Sequence, residues 1–309
     1  QTHEQMLADQ FHDAKCTLRA ELDALRMELD TFLSAEYGVP KGKALALNEW
    51  RKSHQPLHWI AEFFAQVSQG GFNVIVGNPP YIAKREVERC YALKGFAVES
   101  ATDIYAYVLE RCAPLMSSGG YCGMIVPLSL TFSGDFKSCR ATLIQSYQYN
   151  WFSSFGRIPS ALFNFDVRVR NTIHIGGRAG AASRYAYTTR LHRWFEEERS
   201  QLMPLLSYSS FNPERCNGLI PKYPSNRLRD LFEQCHSSMT SVGRALQSGH
   251  TQYPIHFKKT AYNWLAFSSQ QPPSYDKRGA LVPQTKFGTV YASSAEVHKA
   301  ALLVLNSKV

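Results

Sequence analysis

The 309-residue sequence has no C-x-x-C pair and no cysteine and histidine cluster at zinc spacing. Its seven cysteines, Cys16, Cys90, Cys112, Cys122, Cys139, Cys216 and Cys235, are odd in number and scattered. That dispersion excludes a disulfide-framed scaffold and leaves reduced, packing thiols, with no structural metal and a cytoplasmic setting as the expectation. There is no run of about eighteen apolar residues and no charged-then-apolar leader, so no membrane partner is expected. The absence of G-x-x-x-x-G-K-[ST] removes a phosphate-loop motor. No Pro-Cys dipeptide occurs, which removes the thiol nucleophile that ring methylation of cytosine needs. Clustered acids with a strand lysine, the needs of a nuclease, are also missing; "HDAKC" at His12 to Cys16 lies on an expected helix and reads as solvated surface. Acidic residues are outnumbered 25 to 34 by basic ones, for a formal net charge of +9, which favours a polyanionic partner.

What is present centres on "FNVIVGNPPYI", Phe72 to Ile82. Val74, Ile75 and Val76 form the short β-branched block of a parallel strand buried on both faces. Gly77 ends it. Pro79 and Pro80 lack backbone donors and fix φ near −65°, so the stretch after Asn78 is a rigid extended loop. In open α/β sheets, ligand sites lie at the carboxyl ends of the strands.

Around this loop the chain is organised as follows. Leu18, Leu22, Leu25, Leu29 and Phe32 recur every three to four residues, giving an amphipathic helix over about 5–35 within a helical arm, 1–48. Trp59, Phe63 and Val67 mark a second helix before the strand. The polar stretch up to Ser100 has no clear period and reads as mobile. "TDIYAYVLERCAPLMSSGG" is a helix capped by Thr102 or Asp103, "YCGMIVP" a strand, "FKSCRATLIQSY" a helix and "VRVRNTIHI" an alternating strand. Strand, helix, strand with short turns is the signature of a parallel sheet. The fold class expected is α/β, a doubly wound and mostly parallel sheet over 49–180, followed by an α+β region over 181–309. In that second part basic and aromatic residues interleave, from Arg184, Tyr185 and Tyr187 to Tyr262, Trp264, Lys277 and Arg278.

Asn-Pro-Pro-Tyr suits a particular chemistry. An exocyclic amino nitrogen must become more tetrahedral before it can accept a methyl group. The Asn78 side-chain oxygen and the Pro79 carbonyl can take its two hydrogens, a preorganised electrostatic device. Tyr81 offers a flat face to a planar substrate.

This strand followed by NPPY resembles the catalytic motif of S-adenosylmethionine-dependent amino methyltransferases. "GGFNVIVGNPPYI", "DIYAYVLERCAPLMSSGGYCGMIVP" and "ALFNFDVRVRNTIHI" are similar in order and spacing to adenine-specific DNA methyltransferases, especially those of single-chain restriction-modification enzymes. The resemblance implies a methyltransferase-type α/β sheet, S-adenosylmethionine as cofactor and double-stranded DNA as partner, with the target adenine flipped from the duplex. It implies that Asn78, Pro79 and Tyr81 hold the base, with Pro80 beside it and Phe163 or Phe165 against the other face. Asp103 is a candidate for the cofactor pocket or a plain helix cap. The region after residue 180 corresponds to target recognition, and its closing "VYASSAEVHKAALLVLNSKV" resembles the end of such a region.

The family binds its cofactor with a glycine-rich loop after the first strand, and none precedes Asn78. One downstream candidate is "IHIGGRAGAA", with Gly176, Gly177 and Gly180. The preferred expectation is a piece of a longer polypeptide whose upstream part carries the cofactor loop and, in some enzymes of this type, a nuclease. Two other functions share the loop: methylation of an RNA base or a release-factor glutamine, and sequence-selective DNA binding without transfer.

Overall fold

The computed structural model describes residues 3–163, 169–179, 183–238, 246–247, 249–259 and 266–306. It divides into two compact units, Gln1–Arg229 and Asp230–Val309. The boundary expected at residue 180 therefore falls inside the first unit, because the strand Tyr185–His192 pairs in parallel with Tyr149–Phe155 of the same sheet.

The first unit opens with α1 (His3–Glu36) and α2 (Ala44–His54). Two short helices follow, α3 (Trp59–Glu62) and α4 (Phe64–Ser68), where one helix was expected. They are separated because Phe63 leaves helical backbone, at φ −126° and ψ 39°. Its ring instead packs edge-on against Phe72, with centroids 5.4 Å apart.

Six strands form the sheet: β1 (Phe72–Gly77), β2 (Met116–Pro127), β3 (Tyr149–Phe155), β4 (Asn171–Gly177), β5 (Tyr185–His192) and β6 (Ser209–Phe211). Their order is β1-β2-β4-β3-β5-β6. β1 runs parallel to β2 and β3 parallel to β5, whereas β4 is antiparallel to both neighbours and β6 to β5. Four of the six strands thus share one direction, in an α/β sheet of the expected class. The crossovers carry α5 (Lys84–Val87) and α6 (Tyr105–Leu115) from β1 to β2, and α7 (Lys137–Ser146) from β2 to β3.

One face of the sheet is packed. Cys122, Met124, Val126 and Phe152 lie under Tyr105, Leu109, Leu143 and Tyr147 in a single core cluster. Gly176 of β4 is dictated by that packing, since a Cβ there would stand 2.7 Å from the Tyr147 ring. On the opposite face Phe155 and Ile173 are covered by Trp194 and Leu202, and the rest is bare, with no covering layer among the described residues. In register across it run Val74, Tyr121, Gly177, Tyr149 and Tyr185, and next to them Val76, Gly123, Ile175, Trp151 and Tyr187. Val74 is 63% exposed and Val76 78%. The expectation of a β1 buried on both faces is corrected here: β1 is an edge strand and only Ile75 turns into the core.

The polar stretch after Asn78 is anchored. Both Glu110 oxygens accept backbone N–H groups, from Ala97 at 2.9 Å and Val98 at 3.0 Å. The His54 ring donates from Nε2 to the Cys90 carbonyl at 3.0 Å. Val98 is fully buried. Periodicity could not show this, because the stretch is pinned by single polar contacts to helices on either side of it in sequence.

After α8 (Asn226–Ser238), the second unit has short strands β7 (Leu246–Gln247), β8 (Pro254–Lys258), β9 (Phe267–Ser268), β10 (Ser274–Tyr275) and β11 (Leu281–Val282), then β12 (Phe287–Ala292) and α9 (Ala295–Asn306). An antiparallel sheet of order β7-β12-β8-β9 packs against α9 through Ile255, Ala292 and Ala301. This is the α+β texture expected of the carboxyl-terminal region. Ser294 starts α9 by accepting the Val297 N–H at 3.3 Å.

Candidate active site

The Asn-Pro-Pro-Tyr loop leaves the carboxyl end of β1, where Gly77 pairs with Met124 of β2. Pro79 is buried and Asn78 and Pro80 are exposed. Among the described residues, neither the Asn78 side-chain oxygen nor the Pro79 carbonyl is spent on an intramolecular hydrogen bond. Two acceptors therefore stand free on a loop that prolines keep from rearranging.

Tyr81 is held differently. Its hydroxyl donates to the Ile125 carbonyl of β2 at 2.9 Å and accepts from Asn171 Nδ2 of β4 at 3.2 Å. Burial pushes the phenol up to about 12, against the opposing pull of the Asn171 hydrogen bond. The ring meets Tyr105 edge-on, with centroids 6.3 Å apart and planes at 79°. Tyr105 is itself stacked on Phe136 at 4.9 Å, with its hydroxyl 3.1 Å from Ser129 Oγ. The loop is thus tied by its last residue to two strands and a core helix, leaving its first residue in solvent. The chain then continues into an isolated bridge between Ala83 and Asp103, with the Lys84 N–H donating to the Thr102 carbonyl at 2.7 Å.

Asp103 is half-buried beside this bridge. It is not the helix cap: Ile104 precedes α6, and no side chain caps that helix. Burial raises the Asp103 carboxyl, and the nearby Asp135 carboxylate raises it further. Phe163 is half-buried in the connection from β3 to β4, and Phe165 lies outside the described residues. The structure therefore brings Asn78, Pro79, Pro80, Tyr81 and Asp103 to one end of the sheet.

Sequence reasoning missed Asn171, which stands ninety positions from Tyr81 and carries no local signal. It also missed the loop after β2. There Arg140, buried, donates to the carbonyls of Gly218 at 2.6 Å, Leu130 at 2.9 Å and Ser133 at 2.8 Å. Lys222 donates to Thr131 Oγ1 at 2.9 Å and lies over the Phe132 ring, 5.6 Å from its centroid. Burial, and then the Arg140 charge, push the Lys222 ammonium down to about 8.

A glycine cradle for the cofactor is not found among the described residues. Gly176 and Gly177 are the last residues of β4, closed off by the Tyr147 and Tyr121 rings, and Gly180 lies outside the described residues. No three histidine, cysteine or carboxylate groups among the described residues gather as for a metal. No described helix is long and apolar enough to cross a membrane. Of the interleaved aromatics, Trp194 is core, with the Arg199 guanidinium 4.8 Å over its ring, while Tyr185 and Tyr187 stand on the bare sheet face. Tyr262 and Trp264 lie outside the described residues.

With that geometry in place, comparison with known proteins agrees with the motifs. Residues 14–159 match the model of a family described as Eco57I restriction-modification methylase. Over 94 residues the chain is 28% identical to a protein of Methanocaldococcus jannaschii named as a type II restriction enzyme and methyltransferase, covering 29% of this chain and 8% of the relative. The chain thus spans under a tenth of that relative's length. Among solved structures, a nuclease-deletion mutant of the Type ISP restriction-modification enzyme LlaGI in complex with a DNA substrate mimic is 12% identical. It covers 54% of this chain and 20% of its own, with a TM-score of 0.41. The type IIG restriction endonuclease BpuSI is 15% identical over 58% of this chain and 22% of its own, at a TM-score of 0.32. The chain resembles restriction-modification methylases, and its NPPY segment lies inside the matched region.

Proposed function

We propose that this chain is the amino-acceptor half and recognition part of a DNA adenine methyltransferase of a restriction-modification system, with S-adenosylmethionine as methyl donor. The observation that carries the reading is the loop itself: two unspent acceptor oxygens at Asn78 and Pro79, on a loop whose Tyr81 is pinned by Ile125 and Asn171.

On this reading the flipped adenine enters at the carboxyl end of β1. Its amino hydrogens point at the Asn78 oxygen and the Pro79 carbonyl, which draws the nitrogen lone pair out of the ring and towards the methyl donor. The acceptors need not reorganise during transfer, because the prolines and the Tyr81 anchor fix them beforehand. Tyr81 lies along one face of the base, and Phe163 or Phe165 along the other. Asp103 is assigned to the cofactor side. The described residues offer no glycine cradle for the donor's methionine and adenosine. A half-reaction surface of this kind needs the donor-binding part supplied from elsewhere.

That missing cradle also favours the second reading, a DNA-binding chain that transfers nothing. Titration calorimetry of the chain with S-adenosylmethionine separates the two sources of failure. The decisive test is Asn78→Ala in the complete gene product: methyl transfer to adenine drops about 10²- to 10³-fold, the typical loss on removing one preorganised polar group. An unaltered rate removes the assignment.

A further inference from the structure

Outside the NPPY loop, a polar cavity lies in the helical arm. Residues of α1, α2, α3 and the turn between α2 and α3 line about 490 Å³, with Arg26, Asp30, Arg51, Lys52, His58 and Glu62 in its walls. Its acids are already neutralised. Asp30 is buried, with Oδ1 accepting from His58 Nε2 at 2.7 Å and Oδ2 paired with Arg51 Nε at 2.6 Å. Both Glu62 oxygens accept from Arg26, from Nε at 2.8 Å and Nη2 at 2.7 Å, and Arg26 Nη1 also meets Asp23 at 3.1 Å.

These pairs leave a particular remainder. Arg51 meets the Asp30 carboxylate through Nε, and its Nη1 lies 3.9 Å from Met27 Sδ. Lys52 has no hydrogen-bond or ion-pair partner among the described residues, and the side chains of Asn48 and Gln55 on the same wall have none either. Gln55 ends α2 in the left-handed region, φ 44° and ψ 59°, which a non-glycine residue adopts at a cost. A guanidinium oriented by a buried carboxylate, beside a free ammonium and two free amides, matches a tetrahedral oxyanion.

We propose that this cavity anchors one phosphate of the DNA backbone near the target base, an inference that rests on the DNA reading above. The location favours a backbone phosphate over a free one. Three residues after Arg51, His54 of the same helix donates to the Cys90 carbonyl, and the Tyr37 hydroxyl accepts from the Ala92 N–H at 3.4 Å. Both contacts fall in the segment that leads directly out of the Asn-Pro-Pro-Tyr loop, so the arm is fastened to the flank of the candidate base site.

The test is fluorescence anisotropy of the 309-residue chain on a labelled duplex from 50 to 200 mM salt, comparing wild type, Lys52→Gln, Lys52→Glu and, as a control outside the cavity, Lys43→Gln. Each phosphate contact adds roughly 0.9 to the log–log salt slope. Lys52→Gln is expected to lower the slope by about that amount, so that the loss of affinity over this fourfold salt range shrinks by a factor of about 3.5. Lys52→Glu weakens binding further, and Lys43→Gln leaves the slope as it was. A wild-type slope in both Lys52 variants overturns the anchor while leaving DNA binding intact. If the wild type shows no salt-dependent binding, the DNA reading itself fails. Millimolar inorganic phosphate raising the melting temperature of such a chain, but not of Lys52→Gln, would then give the cavity to a free anion and overturn the backbone assignment.

Discussion

The two faces of the six-stranded sheet are built from the same strands and have opposite fates. On one, Phe152, Met124 and Val126 are closed under α6 and α7. On the other, Trp151 of β3, Tyr121 of β2 and Val76 of β1 form an apolar and aromatic surface with no layer above it among the described residues. Alternation along a strand states which residues share a face, but a covering layer is contributed by other parts of a chain. Tyr149 and Tyr185 stack at 5.3 Å and Trp151 and Tyr187 at 5.7 Å, so the bare face partly covers itself.

The contrast can be broken by substitution. The largest effect is expected at Phe152→Ala on the packed face, which costs about 3–5 kcal/mol in urea unfolding by loss of buried surface and cavity formation. Gly176→Ala should cost about 1–3 kcal/mol, because its new Cβ meets the flat Tyr147 ring and neither can withdraw. Tyr81→Phe removes the bond to Ile125 and is expected to cost about 1 kcal/mol. Val76→Ala on the bare face should stay within about 0.5 kcal/mol of wild type. A loss at Val76 comparable to that at Phe152 would mean that the face is covered in solution and that the two faces are alike.

A pH series sharpens the same comparison. His174 is fully buried on the packed face, its Nε2 donating to Asn150 Oδ1 at 2.9 Å, and burial pushes its imidazole down to about 3. Between the ordinary histidine value near 6.5 and that lowered one, the unfolded chain takes up a proton that the folded chain refuses. Stability therefore falls as pH falls through this window. His174→Gln removes this contribution, so the variant should lose less stability than wild type between pH 6.5 and 3, which denaturant titrations at several pH values will show.

How much of this was legible in sequence depends on how local each signal is. The strand ending at Gly77, its proline loop, α6, β2 and α7 were readable because each is written in contiguous residues with their own stop signals. The antiparallel insertion of β4 between β2 and β3 was not, since the alternation of Asn171–Gly177 is the same in either direction. The change of texture near residue 180 is real in composition, yet β5 and β6 beyond it complete the first sheet, because strand pairing follows register and not composition. At the candidate site, Asn78, Pro79, Pro80 and Tyr81 are consecutive, so the loop itself was visible in sequence. The Asn171 anchor and the Arg140 and Lys222 contacts join residues 78 to 91 positions apart, and only the fold brings them together.

The central claim is that Asn78 accepts a hydrogen from the amino group being methylated. The most direct measurement is the single-turnover rate of methyl transfer to adenine in duplex DNA by the complete gene product and its Asn78→Ala variant, with the salt slope of DNA binding recorded alongside. The account predicts a rate loss of about 10²- to 10³-fold with an unchanged slope. An unchanged rate, or a loss matched by an equal loss of DNA binding, would contradict it.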